Sequence, residues 1–256
     1  VDASRRAFFG GAALLFAGSA ALTVAWSLPA PPFPALPMCG GGAMKTMWLP
    51  ERGWPGAAAA FIVMWIVMMA AMMLPVASPP LWRYRQALAA ARVPRAVRLT
   101  ALAGLGYCSV WTATGALVFA LGVALTAAEW RLPALARVEP LASALVILIA
   151  GALQLGTWKR RRLACCREAD ACAHAAPGAG AAWRHGLRLG QRCVACCANL
   201  TAVLLVTGLM DLRAMLLVSA AISAERLAPR GVRIAQLVGL GLIGAGLVFV
   251  ARAAGF

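Results

Sequence analysis

The chain has 256 residues, 62% of them hydrophobic and only 12% charged, with a formal net charge of +16. Several apolar runs approach or exceed the roughly 20 residues that cross a bilayer. No soluble domain of useful size fits around them, and the short alternating segments of a barrel are not visible, so the expected fold is all-α, a polytopic transmembrane helix bundle. The positive charge does not mark a nucleic-acid partner: the arginines sit in short stretches beside the apolar runs without interleaved aromatics, where topology and anionic lipid headgroups account for them.

In chain order the apolar runs give about seven spans, at 7–28, 56–76, 98–125, 141–157, 190–209, 212–226 and 233–251, within a single integral membrane domain over 1–256. The sixth is short and carries Asp211, Arg213 and Glu225 near its ends; if 212–226 is not spanning, the count is six and the C-terminus changes side. With seven spans, eighteen of the 24 Lys and Arg residues fall on one side. The positive-inside rule then makes the N-terminus cytoplasmic, in a bacterial-type cytoplasmic (inner) membrane. Ser4-Arg5-Arg6-Ala7-Phe8-Phe9 has the look of a twin-arginine signal. The apolar run after it is too long and has no convincing small-residue cleavage site, so it is read as a first transmembrane helix.

Between the first two spans lies an outer loop, 29–55, rich in proline and glycine and containing Met38, Cys39, Met44 and Met47. The second span holds the most informative run of the chain, Met64 to Pro75, with Met64, Met68, Met69, Met72 and Met73. Methionine fills irregular gaps in cores, and its thioether is also a soft neutral ligand that suits Cu(I). On a helix, 64, 68 and 72 form one stripe, and 69 and 73 a neighbouring one. Pro75 is expected to end or kink this helix, and Pro79 and Pro80 to prevent simple continuation.

A cytoplasmic Cys-containing basic loop, 158–189, follows the fourth span and brings Cys165, Cys166, Cys172 and His174, with His185 further on. At the start of the fifth span stands C-x-x-C-C, Cys193, Cys196 and Cys197. In a helix all three point one way, and thiolates at this spacing favour Cu(I) or Zn(II). Arg188 and Arg192 are the nearby cations expected to stabilise thiolate. The alternative for every sulfur is plain packing, as gap-filling methionines and small buried thiols. Structural disulfides are not expected in a reducing cytoplasm. A thioredoxin-like reading lacks its βαβ context. With no C-x-x-C-H, no paired carboxylates in any span and no phosphate loop, the chain is expected not to be an enzyme. Gln154 and Asn199 are read as interhelical hydrogen-bonding residues, and Glu225 as pairing with a neighbouring arginine.

Four elements together make the chain resemble a family of predicted metal-binding integral membrane proteins, domain of unknown function 2182, over about residues 56–250. They are W-x-x-M-M-x-A-M-M-x-P from Trp65 to Pro75, Q-L-x-x-x-K from Gln154 to Lys159, the C-x-x-C-C run, and Glu225-Arg226 ahead of Pro229. The resemblance implies the bundle and a metal role. This chain departs from the pattern with Arg162 where a cysteine is usual, and with Ala198 and Asn199 where an aromatic commonly follows the double cysteine.

The expected function is binding of a soft metal ion, foremost Cu(I), for passage across or delivery within the membrane. The loop methionines would collect the ion, the Met64–Met73 stripes carry it, and Cys193, Cys196 and Cys197, with Cys165, Cys166 and Cys172 nearby, receive it. Partners would be membrane lipids and another membrane complex or a metallochaperone. The rival reading is a non-catalytic accessory subunit of a larger complex, packing through motifs such as Ala235-x-x-x-Gly239 and Gly241-x-x-x-Ala245. A third, thiol-redox reading needs a strained disulfide between Cys196 and Cys197.

Overall fold

The computed structural model describes residues 2–27, 54–132, 134–171, 178–209 and 211–253, and the described residues form eight α-helices and no strand. They are α1 (Asp2–Ser27), α2 (Trp54–Ala90), α3 (Ala96–Arg131), α4 (Ala134–Leu155), α5 (Thr157–Ala171), α6 (Ala179–Thr207), α7 (Leu212–Leu227) and α8 (Gly231–Ala253). Six of them, all but α5 and α7, are long and apolar enough to cross a membrane. The all-α membrane bundle expected from composition is the fold observed. Met38, Cys39, Met44, Met47, Cys172 and His174 lie outside the described residues.

Side-chain contacts fix the direction of each helix. Phe8 meets Trp82 while Ser4 meets Arg85, so α1 and α2 are antiparallel. Trp65 reaches Trp111, whereas Leu88 and Tyr84 pack with Ala103, so α2 and α3 are antiparallel too. Gly186 lies on Ala103 and Gly190 on Val110, which makes α3 and α6 parallel. Gly246 sits on Leu148 and Gly239 on Gln154, which makes α4 and α8 antiparallel. Asn199 meets Gln154 while Val203 packs with Ile147, so α4 and α6 are also antiparallel.

It follows that α6 and α8 run the same way, and the short α7 must bring the chain back between them. At 16 residues it is about 24 Å long, less than the ~30 Å hydrocarbon core, yet it reverses the chain as a seventh crossing would. Asp211 starts it by capping: its carboxylate accepts from the backbone N–H of Arg213 (2.8 Å) and Ala214 (3.3 Å). Gly208, at φ 120°, closes α6 in a conformation that side chains other than glycine's rarely adopt. With these directions the segments around Arg83–Arg98, Lys159–Arg192 and Arg226–Arg233 share one end of the bundle with the N-terminus.

Two expectations are corrected. Pro75, Pro79 and Pro80 do not end α2, which continues to Ala90. Each proline removes a backbone donor, but Met72, Met73, Val76, Ala77, Tyr84 and Leu88 are buried on both sides of them, and that packing holds the helix together. The stretch read as a loop at 158–189 contains α5 and the first turns of α6. Its arginines had masked a helical stripe of Lys159, Leu163 and Cys166, all buried at i, i+4 and i+7.

Candidate metal centre

The largest buried cluster is where the sulfur atoms meet. Met64, Met68, Met69, Met72 and Met73 of α2 share it with Cys166 of α5 and with Cys193, Cys196 and Cys197 of α6. Both methionine stripes therefore face the interior of the bundle and not lipid. Trp65, fully buried among them, donates its indole N–H to the Trp111 carbonyl at 2.9 Å. Gly115 of α3 leaves room for that ring, since a Cβ there would collide with it.

The cysteines sit midway along α6, deeper than a position at the start of a span. The α6 stripe from Ala182 through Gly186, Leu189, Gly190, Cys193, Cys196, Cys197, Leu200 and Leu204 turns inward at helical spacing. All three cysteines of C-x-x-C-C are about 1% exposed, so they do point one way. Cys193 and Cys197 are hydrogen-bond neighbours, as are Cys196 and Cys197, and Cys166 reaches Cys196 from α5. That contact, reinforced by burial, holds the Cys166 thiol well above its ordinary range. The Tyr107 hydroxyl of α3 lies 3.2 Å from the Cys193 sulfur.

Cys165, next to Cys166, is exposed and outside the cluster. Cys108 is exposed as well. His185 stacks on Tyr84, with ring centroids 4.2 Å apart, beside the smaller cluster formed by Leu88, Ala103 and Ala182.

A buried polar chain runs against the thiols. Asn199 donates to Gln154, Gln154 donates to Glu225, and Glu225 pairs with Lys159 at 2.8 Å. Lys159 then donates to the backbone carbonyl of Cys196, also at 2.8 Å. Gln154 and Asn199 are thus the interhelical hydrogen-bonding residues expected of them. For Glu225 an arginine was expected, and the ion pair found is with Lys159, both side chains about 1% exposed.

The cation facing the sulfurs is also different from the expected ones. Arg188 and Arg192 are exposed, whereas the Arg226 guanidinium lies within electrostatic reach of Cys193, Cys166, Cys197 and Cys196. Its Nη1 is buried without a hydrogen-bond partner. The signal for both Lys159 and Arg226 was a charge on an otherwise apolar helical stripe. All four sequence elements of the resemblance end at this one place.

Among the described residues no group of three or more His, Cys, Asp or Glu side chains is gathered as a metal site. The thiols stand in a line of neighbours, Cys193, Cys197, Cys196 and Cys166. Two neighbouring thiolates of that line suit Cu(I), which accepts few ligands.

A family model described as a copper chaperone, PpoB2, matches residues 62–249, which include all the sulfur-bearing and polar residues just described. No curated protein and no solved structure matches the chain.

Proposed function

Because the chain belongs to the copper-chaperone family PpoB2, we propose that it binds Cu(I) inside the bundle and delivers it to an acceptor protein. One observation carries this reading: four cysteine thiols and six methionine thioethers, five of them from α2 and the sixth Met215 of α7, share one buried core. Thiolate and thioether are the soft ligands that select Cu(I), and a core of leucine would pack as well without them. The thioethers are the weaker, exchangeable ligands, leading along α2 to the stronger thiolates of Cys193, Cys196, Cys197 and Cys166. The ion moves by ligand exchange, with no catalytic step, and the Arg-rich end of the bundle faces the cytoplasm.

The test is bound copper. Protein purified in detergent under anaerobic, reducing conditions is loaded with Cu(I), washed and subjected to elemental analysis, beside a Cys193/Cys196/Cys197→Ser variant. Copper near one or more per chain, lost in the variant, supports the proposal. No retained copper in the wild type, or equal copper in both, removes it.

A further inference from the structure

Two cations, Lys159 and Arg226, lie beside the thiols. Lys159 and Glu225 neutralise each other as an ion pair. Arg226, the next residue on α7, lies within electrostatic reach of Cys193, Cys166, Cys197 and Cys196, and its Nη1 is buried without a hydrogen-bond partner. Its guanidinium stays protonated in proteins, and among the described residues no carboxylate is found paired with it. Arg188 and Arg192 are exposed on α6.

Cysteine binds metal as thiolate, its proton leaving to solvent as the metal–sulfur bond forms. Two thiolates on a monovalent ion carry a net charge of minus one, which Arg226 balances. Two thiolates on a divalent ion are neutral and leave the guanidinium uncompensated in a low-dielectric core.

We infer that Arg226 is a specificity-determining residue, the counter-charge that makes the paired thiols a site for a monovalent soft cation over a divalent one. This rests on the Cu(I)-binding reading above.

Affinities of the purified full chain for Cu(I), Ag(I) and Zn(II), measured by competition with chelators, test it in wild type, Arg226→Gln and Arg226→Lys. In Arg226→Gln, Cu(I) and Ag(I) should bind at least roughly tenfold more weakly, about 1.4 kcal/mol, while Zn(II) binds as before or more tightly. Arg226→Lys keeps the charge and should stay close to wild type. Unchanged Cu(I) affinity in Arg226→Gln, or an equal loss for all three ions, overturns the inference and leaves the copper site standing. Loss of the Cu(I) preference in Arg226→Lys overturns it as well, even where Arg226→Gln does not fold. A wild type that binds no Cu(I) sinks the proposed function itself.

Discussion

Lys159 donates to the backbone carbonyl of Cys196, so the buried amine of α5 holds the helix that carries the thiols. The same amine pairs with Glu225, which ties α7 to that contact. Three helices are fastened at the level of the sulfur cluster by one ion pair.

Breaking that pair from one side leaves a buried charge alone. Lys159→Met should therefore destabilise the protein by about 3–5 kcal/mol, whereas Lys159→Met combined with Glu225→Leu should recover most of the loss. Thermal unfolding in detergent, followed by size-exclusion chromatography, checks the order wild type, double variant, single variant. A single variant as stable as wild type would mean that the pair carries no structural weight.

Helix approach gives a second contrast. A Cβ on Gly186 would run into the backbone of Ala103, while one on Gly241 meets nothing within 4 Å. Gly186→Val should separate α3 from α6 and abolish folded protein in a detergent extract, and Gly241→Val should leave the yield near wild type.

The adjacent cysteines of α5 should behave differently. Cys165 is exposed and Cys166 is buried. A hydrophilic maleimide should label Cys165 readily in the native protein and Cys166 only after unfolding, as peptide mass mapping would read out. Cys165→Ser should leave the copper content unchanged, and Cys166→Ser should lower the Cu(I) affinity. Fast native labelling at Cys166 would place it outside the core.

Leucine in place of Met68 and Met72 conserves volume and should cost under about 1.5 kcal/mol. The same Met68→Leu/Met72→Leu change removes two exchangeable ligands and should slow Cu(I) loading of the thiols, measured by stopped-flow with a Cu(I) indicator. Loading at the wild-type rate would leave these methionines as packing.

Much of this was legible in the sequence because it depends on period and composition. The bundle followed from the apolar runs, and the inward face of Cys193, Cys196 and Cys197 followed from their spacing. What stayed hidden depends on partners distant in the chain. No local pattern shows that Lys159 meets Glu225 or that Arg226 faces the thiols, because α4 to α7 must first assemble. The continuation of α2 past Pro75, Pro79 and Pro80 was hidden for the same reason: proline's local preference is overridden by the burial of residues on both sides. Of the small-residue motifs, Gly239 packs inside the bundle and Gly241 faces open space, while the close contact of α3 with α6, which no motif announced, is made at Gly186 and Gly190.

The most direct measurement is X-ray absorption at the copper edge on the Cu(I)-loaded wild type. Copper held by the buried cluster has a first shell of sulfur alone, in low coordination, and that sulfur signal disappears in the Cys193/Cys196/Cys197→Ser variant. A first shell containing nitrogen or oxygen, or a sulfur shell unchanged in the variant, would contradict a copper site at these cysteines.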